Sequence, residues 1–256
     1  MKLIKLLLVV CSLLVTSTAQ AEKITIAAAA DVKYAMDEIV ANFKKSHPGN
    51  EVNVVYGSSG KFHTQIQQGA PYDLFFSADI VYPRELVKQG FAASDAKPYA
   101  FGRIVLWSSS MDATKMTLAS LADPKITKIA IANPKHAPYG KRAEEALRAA
   151  GLWDKLQTRL IYGENIAQTA QYVQSGNVPA GIIALSLAVN PELAKKGGYY
   201  LIPDNLHNPL EQGYVITKKG ADKLLARQFS DYMGSKQARS IMTKYGFVLP
   251  GGKAKR

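Results

Sequence analysis

Residues 51–79, EVNVVYGSSGKFHTQIQQGAPYDLFFSAD, decide the predicted fold because they contain a strand, a helix and a second strand in succession. EVNVVY alternates apolar and polar residues, as a half-buried strand does. Gly60–Gln68 predicts a short helix with Phe62 and Ile66 on one face, and DLFFSA predicts a short strand. A strand–helix–strand unit of this kind is the repeating element of α/β proteins with parallel sheets.

The same alternation continues in both directions from this stretch. Before it, KITIAAAA predicts a buried strand and DVKYAMDEIVANFKKS an amphipathic helix. After it come four further predicted strands, GRIVLWSS, KIAIAN, RLIYG and AGIIAL, and five predicted helices, VYPRELVKQG, AEEALRAAGLW, IAQTAQYVQSG, ADKLLARQFSDYMGS and KQARSIMTKYG. We therefore predict an α/β fold with mainly parallel sheets flanked by helices. No long linker divides the chain, so any crossings between two lobes are expected within strands, near Gly102–Leu106 and Gly213–Ile216.

The first 21 residues have the features of a cleaved secretory signal peptide. Lys2 and Lys5 precede the apolar run LLLVVCSLLV, and Ala19-Gln20-Ala21 supplies small residues at a cleavage site. A lipoprotein anchored through Cys11 is disfavoured because Val10 is a poor residue before a lipidated cysteine. Cys11 is the only cysteine in the chain. The mature protein is therefore predicted to contain no disulfide and no cysteine-based metal or redox site.

Charge and motif content disfavour several functional classes. The formal net charge is +12, but the lysines and arginines are dispersed and no nucleic-acid-binding motif occurs, so no nucleic-acid partner is predicted. The four histidines lack ligand spacing to one another or to carboxylates, so no metal site is predicted. Neither a phosphate-binding glycine motif nor G-x-S-x-G is present. No enzymatic activity is predicted, although a triad assembled from distant residues stays open.

Four loops lead into predicted helices with small or hydroxylated residues at the first turn. They are Ala29-Ala30-Asp31-Val32, Gly57-Ser58-Ser59-Gly60, His136–Gly140 and Glu164–Ala167. A helix N-terminus has unpaired N–H groups and the positive end of the helix dipole, so it binds anions without cationic side chains. In open α/β sheets, ligands bind where such loops converge. Each loop also has a purely structural interpretation. Asp31 and Ser59 are good helix N-caps, Tyr139 can cover a loop, and Ile166 can belong to a core.

Four stretches of the chain resemble the periplasmic molybdate-binding proteins of ABC importers, and the resemblance covers essentially the whole mature sequence. The stretches are KITIAAAADVKYAMDEI, YGSSGKFHTQIQQGAPYDLFFSAD, ANPKHAPYGKRAEEAL and SKQARSIMTKYGFVLP. The resemblance implies a two-lobed type II periplasmic binding fold with an oxyanion held in the cleft between the lobes. With the crossings placed as above, lobe 1 comprises residues 22–103 and 213–256, and lobe 2 comprises residues 104–212.

The resemblance also implies a function. It predicts a periplasmic, monomeric protein without a cofactor that captures molybdate or tungstate and delivers it to an inner-membrane ABC permease with its ATPase. Three alternatives stay open. One is a binding protein for another oxyanion, such as chromate or sulfate. The second is an enzyme on the same fold, for which Asp31 is the only candidate carboxylate in the cleft. The third is an anion sensor for a membrane kinase.

The resemblance assigns roles to four residues, all toward the oxygens of the anion and none as a direct metal ligand. Ser59 supplies its N–H and its hydroxyl, and Ile166 supplies only its backbone N–H. Tyr139 falls where some members use a tyrosine hydroxyl, and Ala184 falls where the other members have their ligand tyrosine. Asp31 departs from the hydroxyl residue that many members have, so we expect its N–H to face the anion while its carboxylate caps the helix. A cage of donors without an acceptor would disfavour protonated phosphate.

Overall fold

The computed structural model describes residues 21–251 of the 256-residue chain. The predicted signal peptide, apart from Ala21, and the basic tail Lys253–Arg256 lie outside the described residues. Between residues 21 and 251, no helix has the length and apolar character needed to cross a membrane.

Within the described range, ten strands form two sheets of five strands each. The strands are β1 (Lys23–Ala29), β2 (Glu51–Gly57), β3 (Leu74–Ser77), β4 (Lys97–Gly102), β5 (Ile104–Ser108), β6 (Ile129–Ala132), β7 (Leu160–Gly163), β8 (Ala180–Ala184), β9 (Gly198–Leu201) and β10 (Leu210–Ile216). The first sheet has the order β2-β1-β3-β10-β4, and the second has the order β7-β6-β8-β5-β9.

Each sheet is mixed, with four strands running in one direction and a single reversed strand, so the prediction of mainly parallel sheets is confirmed. In the first sheet β1 pairs in parallel with β2 and β3, whereas β10 runs antiparallel to β3 and β4. In the second sheet β6 pairs in parallel with β7 and β8, whereas β5 runs antiparallel to β8 and β9. The reversed strands are β10 and β5, and the chain enters each of them directly from the other sheet. Because no helical crossover within their own sheet leads into them, they need not run parallel to their neighbours.

Helices flank both sheets. They are α1 (Lys33–Ser46), α2 (Ser59–Gln67), α3 (Val81–Lys88), α4 (Pro138–Ala149), α5 (Trp153–Leu156), α6 (Ile166–Gln174), α7 (Leu185–Ala188), α8 (Pro191–Ala194), α9 (Leu224–Tyr232) and α10 (Lys236–Lys244). Short 3₁₀ turns occupy Ala30–Val32, Ala113–Lys115, Leu118–Ala122, Gln157–Arg159, Asp204–Leu206 and Lys218–Gly220.

The two sheets have separate hydrophobic cores. The apolar face of α1, with Met36, Ile39 and Phe43 fully buried, packs in the core of the first sheet. Trp107 of β5 is fully buried in the core of the second sheet. The chain passes from β4 to β5 through the single residue Arg103, and it returns between β9 and β10. The other predicted crossing, Gly213–Ile216, lies inside β10. The division into lobes at the residues given above stays a prediction.

The order of the elements places four loops at the carboxyl ends of parallel strands. β1 leads into the 3₁₀ turn Ala30–Val32 and then α1, and β2 leads into α2. In the second sheet β6 leads into α4 and β7 leads into α6. These are the four loops singled out in the sequence, and the carboxyl ends of parallel strands are where α/β sheets bind ligands.

Candidate functional site

The four loops meet around one small cavity. Its volume is about 10 Å³, and Asp31, Ser59, Tyr139 and Ile166 all line it, together with small residues of the same loops and Ala78. Each of these four residues is at most 4% exposed. The lining contains no lysine or arginine. The structure therefore brings the four predicted residues together around one small space.

Ser59 is the first residue of α2, and Ser58 occupies the N-cap position with an extended backbone (φ −90°, ψ 142°). The expectation that Ser59 caps the helix is therefore wrong. Its Oγ accepts a hydrogen bond from the Ala78 N–H at 3.0 Å, and the residue is fully buried. Because the oxygen is used as an acceptor, the hydroxyl proton is free to be donated to a ligand in the cavity.

Ile166 is the first residue of α6, and its N-cap is Asn165. The Asn165 Oδ1 accepts from the N–H groups of Ala167 and Gln168, each at 3.0 Å. Among the hydrogen bonds of the described residues, none uses the Ile166 N–H. One first-turn donor is thus left for a ligand, as is typical of a helix N-terminus that binds an anion.

Tyr139 is the second residue of α4, after Pro138, and its ring is buried. Its hydroxyl donates to Asp31 Oδ2 at 3.0 Å and accepts from Gln212 Nε2 at 3.1 Å. The hydroxyl proton is therefore directed at the Asp31 carboxylate in this structure. Donation from this hydroxyl to an anion stays a prediction, and it requires the proton to leave Asp31.

Asp31 lies in the 3₁₀ turn that precedes α1, and its side chain does not cap a helix. This corrects the expected capping role. Its Oδ2 instead accepts from Tyr139 and from Gln212 Nε2, the latter at 2.7 Å. Its Oδ1 is buried and has no hydrogen-bond partner among the described residues. Burial raises the pKa of the carboxyl to about 6, although hydrogen bonding by Gln212, by Tyr139 and by the backbone N–H groups of Asp31 and Val32 opposes the shift. The cavity wall thus contains an acceptor, contrary to the predicted cage of donors alone.

Direct contacts join the loops of the two sheets. The Gly60 N–H donates to the His136 carbonyl oxygen at 2.9 Å, and Ser58 Oγ lies 3.0 Å from His136 Nδ1. Ser186 Oγ of α7 donates to the Asp31 carbonyl oxygen at 2.7 Å. The cleft between the sheets is therefore closed around the cavity. Additional charged pairs, Arg142 with Asp79 and Lys61 with Glu164, join the same two sides.

Gln212 and His136 were not singled out by the sequence. Gln212 is fully buried on β10, and a lone glutamine in a strand has no motif to mark it. His136 was set aside because no potential metal ligand lies near it in the sequence. The only signal available was its place in the loop before α4. Ala184, the last residue of β8, is fully buried and is not part of the cavity lining.

Comparison with known proteins gives concordant matches over nearly the whole chain. Residues 24–248 match the family described as bacterial extracellular solute-binding protein. The molybdate-binding protein ModA of Rhodobacter capsulatus is 34% identical over 231 residues, which cover 90% of this chain and 90% of that protein. The putative ABC transporter substrate-binding lipoprotein YvgL of Bacillus subtilis is 33% identical over 250 residues, covering 95% and 94%.

A solved structure agrees with these matches. The periplasmic molybdate-binding protein of Azotobacter vinelandii superposes with a TM-score of 0.83 at 34% identity, covering 89% of this chain and 99% of that one. The predicted α/β periplasmic-binding fold is thereby confirmed, with one reversed strand in each otherwise parallel sheet.

Proposed function

The chain belongs to the family of bacterial extracellular solute-binding proteins, and on this premise we propose that it captures molybdate or tungstate in the periplasm. The observation that carries the proposal is the small closed cavity lined by helix N-termini and a buried hydroxyl, without a cationic side chain. The names of its relatives support the same ligand class and a role in an ABC importer. The anion is cargo, and the chain acts as a binding protein rather than an enzyme.

Neutral donors suit a small, fully ionised anion. The N–H groups at the start of α2 and α6 are fixed by the helices, so they need no reorganisation when the anion enters. A buried lysine or arginine would have to lose its hydration before it paired with the ligand, and this cavity avoids that cost. Size then separates the tetrahedral dianions, because a smaller anion such as sulfate leaves longer donor distances.

Capture requires the cleft to open and close. The donors come from loops of both sheets, so a bound anion contacts both sides and favours the closed arrangement. The crossings next to Arg103 and between β9 and β10 supply the hinge. We propose that an inner-membrane permease, with its ATPase, recognises the closed form of the monomer and receives the anion.

Calorimetric titration tests the proposal directly. Residues 22–256 are expressed, bound anion is removed by unfolding and refolding, and the protein is titrated with molybdate, tungstate, chromate, sulfate and phosphate. We expect tight one-to-one binding of molybdate and tungstate with little response to sulfate. Tighter binding of sulfate or chromate would show that this anion is the transported ligand, while the role in transport would be retained. Absence of binding to every oxyanion would overturn the proposal.

Replacing Ser59 with alanine is expected to weaken molybdate binding about 5- to 150-fold, equivalent to ~1–3 kcal/mol for a charge-assisted hydrogen bond. The variant should also melt at a lower temperature, because the Ala78 N–H loses its buried acceptor. Calorimetry and a thermal melt measure the two effects separately.

Ser108→Ala is a matched control for this substitution. Ser108 is also fully buried, and its Oγ also accepts from backbone N–H groups, those of Ser110 and Met111 at 3.2 and 3.0 Å. It lies on β5 and not in the cavity lining. This control should lower the melting temperature and leave the affinity unchanged. Equal affinity losses in the two variants would show that Ser59 acts only through stability.

A further inference from the structure

We propose that Asp31 binds the oxyanion as a neutral carboxylic acid, so that capture of each dianion takes up one proton from solvent. This inference rests on the proposed function, and it concerns the protonation state in which the site works. It extends the roles assigned above, in which Asp31 contributed only its backbone N–H.

The position of the carboxyl group is the first argument. Asp31 is 1% exposed and lines the cavity in which the anion would sit. Its Oδ2 already accepts two hydrogen bonds, from Tyr139 and Gln212, whereas its buried Oδ1 accepts none among the described residues. A carboxylate so placed would bring a negative charge to the wall of a site for a dianion.

Among the described residues, no cation offsets that charge at close range. The groups that face the carboxyl are neutral: Gln212 from β10, the Tyr139 hydroxyl from α4, the Tyr99 ring from β4, and the backbone N–H groups of the Asp31 turn itself. From α7, Ser186 bonds to the Asp31 carbonyl oxygen rather than to its side chain. Ser59 and Ile166 contribute a hydroxyl and an amide group to the lining. A dianion and an ionised carboxylate would therefore repel each other inside a closed, poorly hydrated space.

Protonation removes this conflict. Burial already raises the pKa of Asp31 to about 6. Two further negative charges in the cavity act in the same direction and raise the pKa above neutrality in the complex. The proton comes from solvent and is held by the carboxyl group, and no bond of the oxyanion is made or broken. Because Oδ2 is occupied by two donors, Oδ1 carries the proton, and Asp31 becomes a hydrogen-bond donor like the rest of the cavity wall.

The pH dependence follows from the linkage between proton and anion binding. The pKa of Asp31 is higher in the complex than in the empty protein, so protonation favours binding. Below the pKa of the empty protein the affinity is constant. Between the two pKa values it falls about tenfold for each unit rise in pH, because one proton is bound with each anion. With the lower value at about 6, the fall should begin near pH 6 and extend upward through neutral pH.

Titration calorimetry in two buffers measures the proton directly. Molybdate is titrated into the refolded full mature chain at pH 7.5 in HEPES and in Tris, whose ionisation enthalpies differ. The difference in observed heat gives the protons taken up per anion, and we expect a value near one. Asp31→Asn should bind molybdate with a proton uptake near zero, and its affinity should not change between about pH 6.5 and 8.5. A thermal melt verifies that the variant is folded. The proton uptake of the wild type tests the inference even if the variant does not fold.

A surface carboxylate provides the matched control. Asp222 is exposed and is not part of the cavity lining, so Asp222→Asn should take up the same number of protons as the wild type. Molybdate binding by the wild type without proton uptake would overturn this inference and leave the proposed function intact. A second result would also overturn the inference: hydrogen phosphate binds the wild type without proton exchange and no longer binds Asp31→Asn. That result would show that the Asp31 carboxylate is ionised and accepts the proton of the ligand in a hydrogen bond. Failure to bind any oxyanion in either buffer would overturn the proposed function and this inference together.

Discussion

Gly60→Ala is expected to weaken molybdate binding about tenfold to a hundredfold while leaving the empty protein as stable as the wild type. A Cβ atom at this position would lie 2.8 Å from the His136 carbonyl oxygen and 3.0 Å from the His136 Cα. Both atoms are backbone of the opposite loop and cannot turn aside, so α2 and that loop must move apart. A misplacement of about 1 Å costs catalytic sites up to about a hundredfold in rate, and we expect a loss of similar size for binding to fixed donors.

The open protein should tolerate this substitution. Gly60 is the second residue of α2 and does not have a positive φ angle, and alanine is a better helix former than glycine. Titration calorimetry measures the affinity, and small-angle X-ray scattering with saturating molybdate measures whether the cleft still closes. Gly234→Ala is the matched control, because the added carbon meets only the Asp231 carbonyl oxygen, at 3.3 Å. An affinity for Gly60→Ala within twofold of the wild type would contradict the role of this contact in closure.

Ile166→Pro is expected to reduce molybdate binding by roughly a hundredfold or more. Proline lacks the backbone N–H, and a charge-assisted hydrogen bond to the anion is worth ~1.5–3 kcal/mol, or about 10- to 150-fold. The proline ring would also occupy the space toward which the N–H is directed. The substitution is compatible with the local fold, because proline is favoured at the first position of a helix. Asn165 has an extended backbone (φ −147°, ψ 176°), as a residue before proline requires.

Ile166→Ala separates the amide group from the side chain. The Ile166 side chain is 4% exposed and packs in the core of the second sheet, so both variants lose buried apolar area and some stability. Only the proline variant loses the N–H. Calorimetry should therefore give a large loss for proline and a small one for alanine, with thermal melts confirming that both are folded. Similar affinities for the two variants would show that this N–H does not bind the anion.

The helix starts of the site were predictable from the sequence. Small residues and turn formers before Ser59 and Ile166 indicated where α2 and α6 begin, whereas α4 begins at Pro138, five residues before the predicted helix AEEALRAAGLW. The general geometry of α/β sheets indicated that such loops converge. The signal is local, because a helix N-terminus is determined by the few residues around it. The structure places these loops around one cavity, because each of them follows the carboxyl end of a parallel strand.

The polar network of the cavity was not predictable. The hydrogen bond from Gln212 to Asp31 joins residues 181 positions apart in the sequence. Gln212 lies on β10, and the neighbouring strand β4 was not predicted as a strand. The segment KPYAFG contains a proline and a terminal glycine, which disfavour a strand interior but are tolerated because β4 is at the edge of its sheet. The sequence pattern alone therefore favoured capping by Asp31, whereas contacts with distant elements direct its side chain elsewhere.

The Ile166 N–H and its place at the start of α6 have a consequence for how such a site changes in evolution. The N–H group that we propose for the anion is present in every amino acid except proline, so substitutions at position 166 would be constrained by packing rather than by ligand chemistry. What must be preserved is the number of residues between the end of β7 at Gly163 and the first turn of α6. A single-residue insertion or deletion in that interval rotates the helix start by about 100°. Selection on this loop therefore acts on its length more strongly than on its residue types.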